Sequence, residues 1–211
     1  LGWTDAKGTP TYCLEGSLFN AGTVVQWLRD GLQIIDKADQ VNVIAEEEED
    51  SGGVIFVPAF TGWGTPHWDP SARGLIIGLT RDTRKGHIAK AALEGIALSV
   101  ATLVELAETS IGHELGELAV DGGAAASNSL LQAQANSTGL QVRRPVNLES
   151  TARGIALLAG VQAGIINDLK DLVSQRRIGA EIFTPTLDLL ARQKWRSNWD
   201  EAVKRSLKWH E

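Results

Sequence analysis

Leu118-Ala119-Val120-Asp121-Gly122-Gly123 is a short apolar run that ends in an acid and two glycines. Helical spacing follows through Leu130 and Leu131, so the segment reads as strand, turn and helix. Leu140–Val142 is a second short strand. Residues 151–166 form a second helix, with small side chains at Ala152, Gly154, Ala156, Ala159 and Gly160. Strands alternating with helices predict an α/β fold, a mixed or parallel sheet with helices on its faces. The tripeptide Asp121-Gly122-Gly123 admits two readings. It makes a plain turn. Equally, glycines between a strand end and a helix start let the backbone approach a phosphate, with free helix N–H groups aimed at it. On that reading Gly123 meets a nucleotide, and Ser127 and Asn128, one turn on, reach its sugar or base.

Working back from this segment, residues 87–109 form the longest predicted helix. Its inner face is Ile88, Ala91, Ala92, Ile96, Val100, Leu103, Val104 and Ala107. Before it come two strand patterns, Val54–Pro58 after the break at Gly52-Gly53, and Leu75–Leu79. The loop between them, residues 61–74, is rich in Gly, Pro and Trp, and loops of that length are often functional. Ser17 suits an N-cap for an amphipathic helix over 17–35, built on Leu18, Ala21, Val24, Val25, Leu28, Leu32 and Ile35. Trp3–Leu14 has the look of a hairpin, with turn chemistry from Asp5, Lys7, Gly8 and Pro10. The acidic run Glu46–Asp50 reads as a solvated helix end or loop. At the other end, Trp195, Trp199, Val203 and Leu207 make one apolar stripe, a core face rather than a binding platform. Arg196–Asp200 and Glu201–Arg205 support that last helix as i,i+4 pairs.

Composition narrows the partners. The chain has 211 residues, 43% of them hydrophobic and 22% charged, with a formal net charge of −6. That supports one sizeable core and excludes a disordered chain. An acidic balance argues against nucleic acid or an anionic membrane as partner. No uninterrupted apolar run reaches bilayer-spanning length. Cys13 is the one cysteine, so neither an internal disulfide nor a cysteine-rich metal site can form, and a reducing cytoplasmic setting is expected. The chain holds no methionine and opens without the features of a signal peptide, which predicts a piece of a longer protein. The four histidines show no metal-ligand spacing. His87 reads as a cap or surface residue, and His67 near Asp69 as part of a turn. There is no G-x-S-x-G elbow, Walker A loop or dinucleotide fingerprint.

Gly74-Leu-Ile-Ile-Gly-Leu79, then seven residues, then His87-Ile-Ala-Lys-Ala-Ala-Leu-Glu94, resembles the second signature of the FGGY carbohydrate kinases. Tyr12–Ser17, Ala21–Asp30, Val57–Gly74, Val120–Gly123 and Trp199–Trp209 resemble the glycerol kinase branch, so the likeness runs in order along essentially the whole chain. It implies an actin-like ATPase (ribonuclease H-like) domain, residues 1–211 being the second, C-terminal lobe of a two-lobed phosphotransferase. It further implies ATP/ADP with Mg²⁺ as cofactor, glycerol as a small-molecule substrate bound by the other lobe, and a homo-oligomeric full-length enzyme. Nucleotide contacts are implied for Gly22, Gln26 and Gly123. The family usually has asparagine where Ser127 stands, and Asn128 comes one residue later, so either could make the adenine-side contact. Trp63 and Thr65 replace the usual Leu and Ala, a change of loop packing. The family's catalytic aspartate sits in a Gly-Asp-Gln motif that this sequence lacks, so no catalytic residue and no metal ligand is assigned here. Xylulokinase-type or gluconokinase-type FGGY activity, or a non-catalytic interaction module of the same fold, are the alternatives.

Overall fold

The computed structural model describes residues 2–4, 8–166 and 179–210. In chain order the elements are β1 (Trp3–Thr4), β2 (Pro10–Thr11), α1 (Gly22–Asp30), α2 (Gln40–Glu46), β3 (Ile55–Val57), β4 (Leu75–Ile77) and α3 (Lys85–Ile111). Then follow β5 (Glu117–Ala119), a single 3₁₀ turn (Gly123–Ala126), α4 (Asn128–Thr138), β6 (Gln141–Arg144), α5 (Ser150–Gln162), β7 (Glu181–Phe183) and α6 (Leu189–Ser206).

The expected alternation is present and the sheet is mixed. β5 and β6 run parallel, joined through α4, with Leu118 opposite Val142. β7 adds antiparallel to the other edge of β6, pairing Phe183 with Val142. Nothing in the sequence pattern had pointed to this third strand. β3 and β4 form a separate antiparallel pair in which Phe56 faces Ile76. β1 and β2 make the short N-terminal hairpin; Asp5 and Lys7 of its turn lie outside the described residues.

α3 is the axis of the domain. On one side Ala89, Ala92, Leu93 and Ile96 join Val24 and Leu28 of α1, Val41 and Ile44 of α2, Phe56 of β3 and Leu130 of α4 in one core. On another, Leu98 packs with Val57, Trp63, Trp199 and Val203. Leu131, Ala135 and Val142 close a third cluster under the mixed sheet. By length and composition α3 passes as a membrane span, although Lys90, Glu94 and Glu105 interrupt its apolar run. Most of its apolar window is buried against neighbouring elements, which is how a core helix comes to be apolar over so much of its surface. Gly95 makes that packing possible. A Cβ there would stand 2.1 Å from the Phe56 carbonyl oxygen.

Two sequence expectations change. α1 begins at Gly22, not Ser17, and ends at Asp30, well short of Ile35. The reason is competition: the Ser17 N–H donates to Thr65 Oγ1 (3.1 Å), and the Thr65 N–H returns to the Ser17 carbonyl (3.2 Å). Residues 17–20 are thereby tied to the long loop. Arg196 does not take up its expected i,i+4 pairing with Asp200; it reaches across to Glu105 of α3. Glu201–Arg205 is present at 3.1 Å.

The long loop proves architectural. Trp63 is buried against Trp199, their ring centres 6.0 Å apart, which also confirms the tryptophan stripe of α6 as core. Asp69 Oδ1 accepts from the Ser71 N–H and hydroxyl, and Oδ2 from the Lys208 N–H at 2.7 Å, which fastens the C-terminal residues to the loop. Those bonds hold its carboxyl near pKa 2, below the ordinary 3.8.

Candidate functional site

The Asp121-Gly122-Gly123 turn connects the parallel strands' C-terminal edge to α4. Gly122 has φ +78°, a left-handed conformation that glycine adopts without a Cβ penalty. Its N–H donates to the Leu148 carbonyl (2.9 Å), which anchors the turn to the segment after β6. The chain then makes one 3₁₀ turn, with the Ala125 N–H on the Gly122 carbonyl (3.1 Å), before α4 starts. Gly123 is exposed, and a Cβ built there would meet no atom within 4 Å. Gly22, the first residue of α1, is equally open, and Gln26, one turn on, is exposed. α1 and the start of α4 share the first core through Val24, Leu28 and Leu130.

The two polar candidates behave differently. Ser127 is the N-cap of α4: its hydroxyl oxygen accepts from the Leu130 N–H at 3.1 Å. The same hydroxyl donates to Asn42 Oδ1 of α2, and the residue is 9% exposed. Asn128 is exposed. It lies on the rim of a groove of about 640 Å³ that runs between the end of α2, α3, α4, β7 and Trp195 of α6.

Arg144 was not singled out in the sequence, yet it braces the turn. Its Nη1 donates to the Ala125 (3.0 Å) and Ala126 (3.3 Å) carbonyls, while Nε holds Glu181 at 2.7 Å and the guanidinium stacks on Phe183. It therefore links the candidate turn to both β6 and β7. No local signal marks it, because its partners come from two other segments.

The acidic run is more than a solvated helix end. Lys90 of α3 donates to the Glu48 (2.7 Å) and Glu49 (2.9 Å) carbonyls, and Glu48 contacts His87 Nε2 at 3.2 Å. His87 is a cap, as expected: its Nδ1 accepts from the Arg84 N–H (3.0 Å) at the start of α3. Glu94, last residue of the signature quoted above, is partly buried and lines the groove. Desolvation pushes its pKa from 4.5 up to about 7, against the Ser51 hydrogen bond and nearby Lys90, which lower it. Among the described residues no group of three or more His, Cys, Asp or Glu side chains could hold a metal ion.

The parallel β–turn–α–β unit, with an open glycine turn at the strands' end and a long central helix beneath it, belongs to a fold whose solved neighbours are kinases of the actin-like ATPase class. Plasmodium falciparum glycerol kinase with ADP superposes at TM-score 0.81 and 34% identity, covering 88% of this chain and 37% of that one. Lactobacillus acidophilus xylulose kinase follows at TM-score 0.67 and 25% identity, covering 90% and 38%. The chain belongs to the FGGY family of carbohydrate kinases: residues 2–163 match the family's C-terminal domain. Glycerol kinase from Saccharolobus islandicus is 46% identical over 209 residues, covering 99% of this chain and 42% of the relative. Glycerol kinase 2 from Sulfolobus acidocaldarius is 45% identical over the same span. The chain thus spans less than half the length of these relatives.

Proposed function

We propose that this chain is the nucleotide-binding lobe of an ATP-dependent glycerol kinase, whose full-length form transfers the γ-phosphoryl of ATP to glycerol to give glycerol 3-phosphate. Gly22, Gln26 and Gly123 face the nucleotide, with Asn128 as the polar group beside them. Residues 1–211 act as a single lobe, and the general base and glycerol site belong to the other part of the enzyme. The observation that carries this reading is the Gly122-Gly123 turn, exposed at Gly123, between the end of the parallel strand β5 and the start of α4. At Gly22 and Gly123 the protein leaves uncovered the space a side chain would fill, which suits close approach of a ligand to the backbone. Similarity to glycerol kinases at 46% identity favours glycerol over the sugar acids and pentuloses of other branches.

In phosphoryl transfer the protein's task is to position the nucleotide and stabilise charge. This lobe grips the adenosine end and one flank of the phosphates, remote from the reacting bond. Mg²⁺ neutralises phosphate charge in such reactions; the described residues offer it no acidic cluster, so none is assigned to the metal here. The lobe alone is expected to form no ADP from ATP and glycerol.

Gly123→Ala tests the site cleanly. The new methyl meets no protein atom, so thermal stability is expected within about 0.5 kcal/mol of the parent. Mg-ADP affinity measured by calorimetry is expected to fall about ten-fold or more, since the methyl occupies the ligand's approach. Equal affinity in parent and variant would remove Gly123 from the site. Turnover of glycerol by the 211-residue chain would overturn the division of labour.

A further inference from the structure

We propose that Asn42 and Glu46 of α2 are positioning residues for the nucleotide turn, holding the first turn of α4, and with it Gly123, in register. The inference rests on the nucleotide reading above. Asn42 and Glu46 stand one turn apart and so share a face of α2. Each accepts a hydroxyl from the start of α4: Ser127 Oγ donates to Asn42 Oδ1, and Ser129 Oγ to Glu46 Oε1 at 2.8 Å. Between them Leu130 enters the core formed with Val41, Ile44 and Ala45 on the neighbouring face of α2. One apolar anchor is thus flanked by two polar ones.

The Ser127 contact does two things at once. A hydroxyl has one proton and two lone pairs. Donation to Asn42 fixes the rotor, and the lone pair left over points at the Leu130 N–H that it caps. Asn42 is itself held, its Nδ2 donating to the Asp39 carbonyl at 3.3 Å. On the opposite side Arg144 grips the Ala125 and Ala126 carbonyls, so the 123–127 turn is clamped between α2 and β6. Commitment of Ser127 to this clamp leaves the exposed Asn128 to make the polar contact with nucleotide.

The test compares Asn42→Leu, which deletes the acceptor, with Asn42→Asp, which keeps one. Both are read by Mg-ADP affinity and by amide hydrogen exchange across residues 123–130 of the 211-residue chain. Asn42→Leu is expected to speed exchange in that segment and weaken Mg-ADP about five-fold, the loss of one partly buried hydrogen bond. Asn42→Asp keeps the acceptor for Ser127 but gives up the Nδ2 donation to the Asp39 carbonyl, and is expected to fall between the parent and Asn42→Leu. Ser127→Ala combined with Asn42→Leu should cost less than the sum of the two single losses, because the two residues share one hydrogen bond while the cap on the Leu130 N–H is Ser127's alone. Unchanged exchange in Asn42→Leu, or faster exchange with parental affinity, would overturn the proposal while leaving the nucleotide site standing. An Asn42→Asp variant as weak as Asn42→Leu would overturn it too. A parent chain that does not respond to Mg-ADP at all would sink the nucleotide reading and this proposal together.

Discussion

α3 and α5 are both rich in alanine, glycine and branched aliphatic residues, and both are legible as helices in the sequence. Their surroundings could hardly differ more. α3 has twelve buried residues between Gly86 and Val104, and α1, α2, α4, β3 and α6 pack against it. α5 has no buried residue at all: Ile155 is 66% exposed and Leu158 is 59% exposed. Periodicity therefore shows that a helix has an apolar face; it does not show what covers that face.

Glycine substitution separates the two helices most sharply. Gly95→Ala in α3 drives a methyl to 2.1 Å from the Phe56 carbonyl oxygen, a backbone atom that cannot swing aside. We expect a loss of about 3 kcal/mol or more in denaturant unfolding. The next contrast is truncation. Ile96→Ala, at a site 2% exposed, is expected to cost about 2–5 kcal/mol, whereas Ile155→Ala in α5 should cost under about 1 kcal/mol. Comparable losses at the two sites would mean that α5 is packed after all.

α3 also carries a partly buried carboxyl, Glu94. The unfolded Glu94 titrates near 4.5 and the folded one near 7, so between those values the folded state holds a proton that the unfolded state has released. That contribution is fully present below pH 4.5, is lost as pH rises through the window, and stays lost above pH 7. Glu94→Gln should therefore gain stability over the parent at pH 8, on the order of 2–3 kcal/mol, and little at pH 4.5. A pH-independent difference would contradict the assigned burial. The smallest effect belongs to α5: Gly154→Ala meets no neighbour and should stabilise by about 0.5–1 kcal/mol through helix propensity alone.

The legible parts of the fold share a property with α3 and α5: they are repeated local signals. β3, β4, the strand–turn–helix at Asp121-Gly122-Gly123 and α6 were each carried by spacing within a dozen residues. The short α2 escaped notice because its seven residues end in an acidic run that dominated the reading. β7, three residues long, gave too little pattern to detect. Ser17 suited an N-cap locally, but a partner 48 residues away claimed it. The site divides in the same way. Gly123 could be picked out from its place after a strand, while Gly22 and Gln26, on an ordinary helix, were suggested only by family resemblance. Asn42 was invisible, since its meaning lies in Ser127, 85 residues further on.

Titration of the 211-residue chain with Mg-ADP, followed through its backbone amide signals, tests the account most directly. It predicts shifts concentrated at Gly22, Gln26, Gly123 and Asn128, with the exposed α5 positions Ile155 and Leu158 unmoved. Silence at millimolar nucleotide, or shifts centred on α5 instead of the glycine turn, would contradict it.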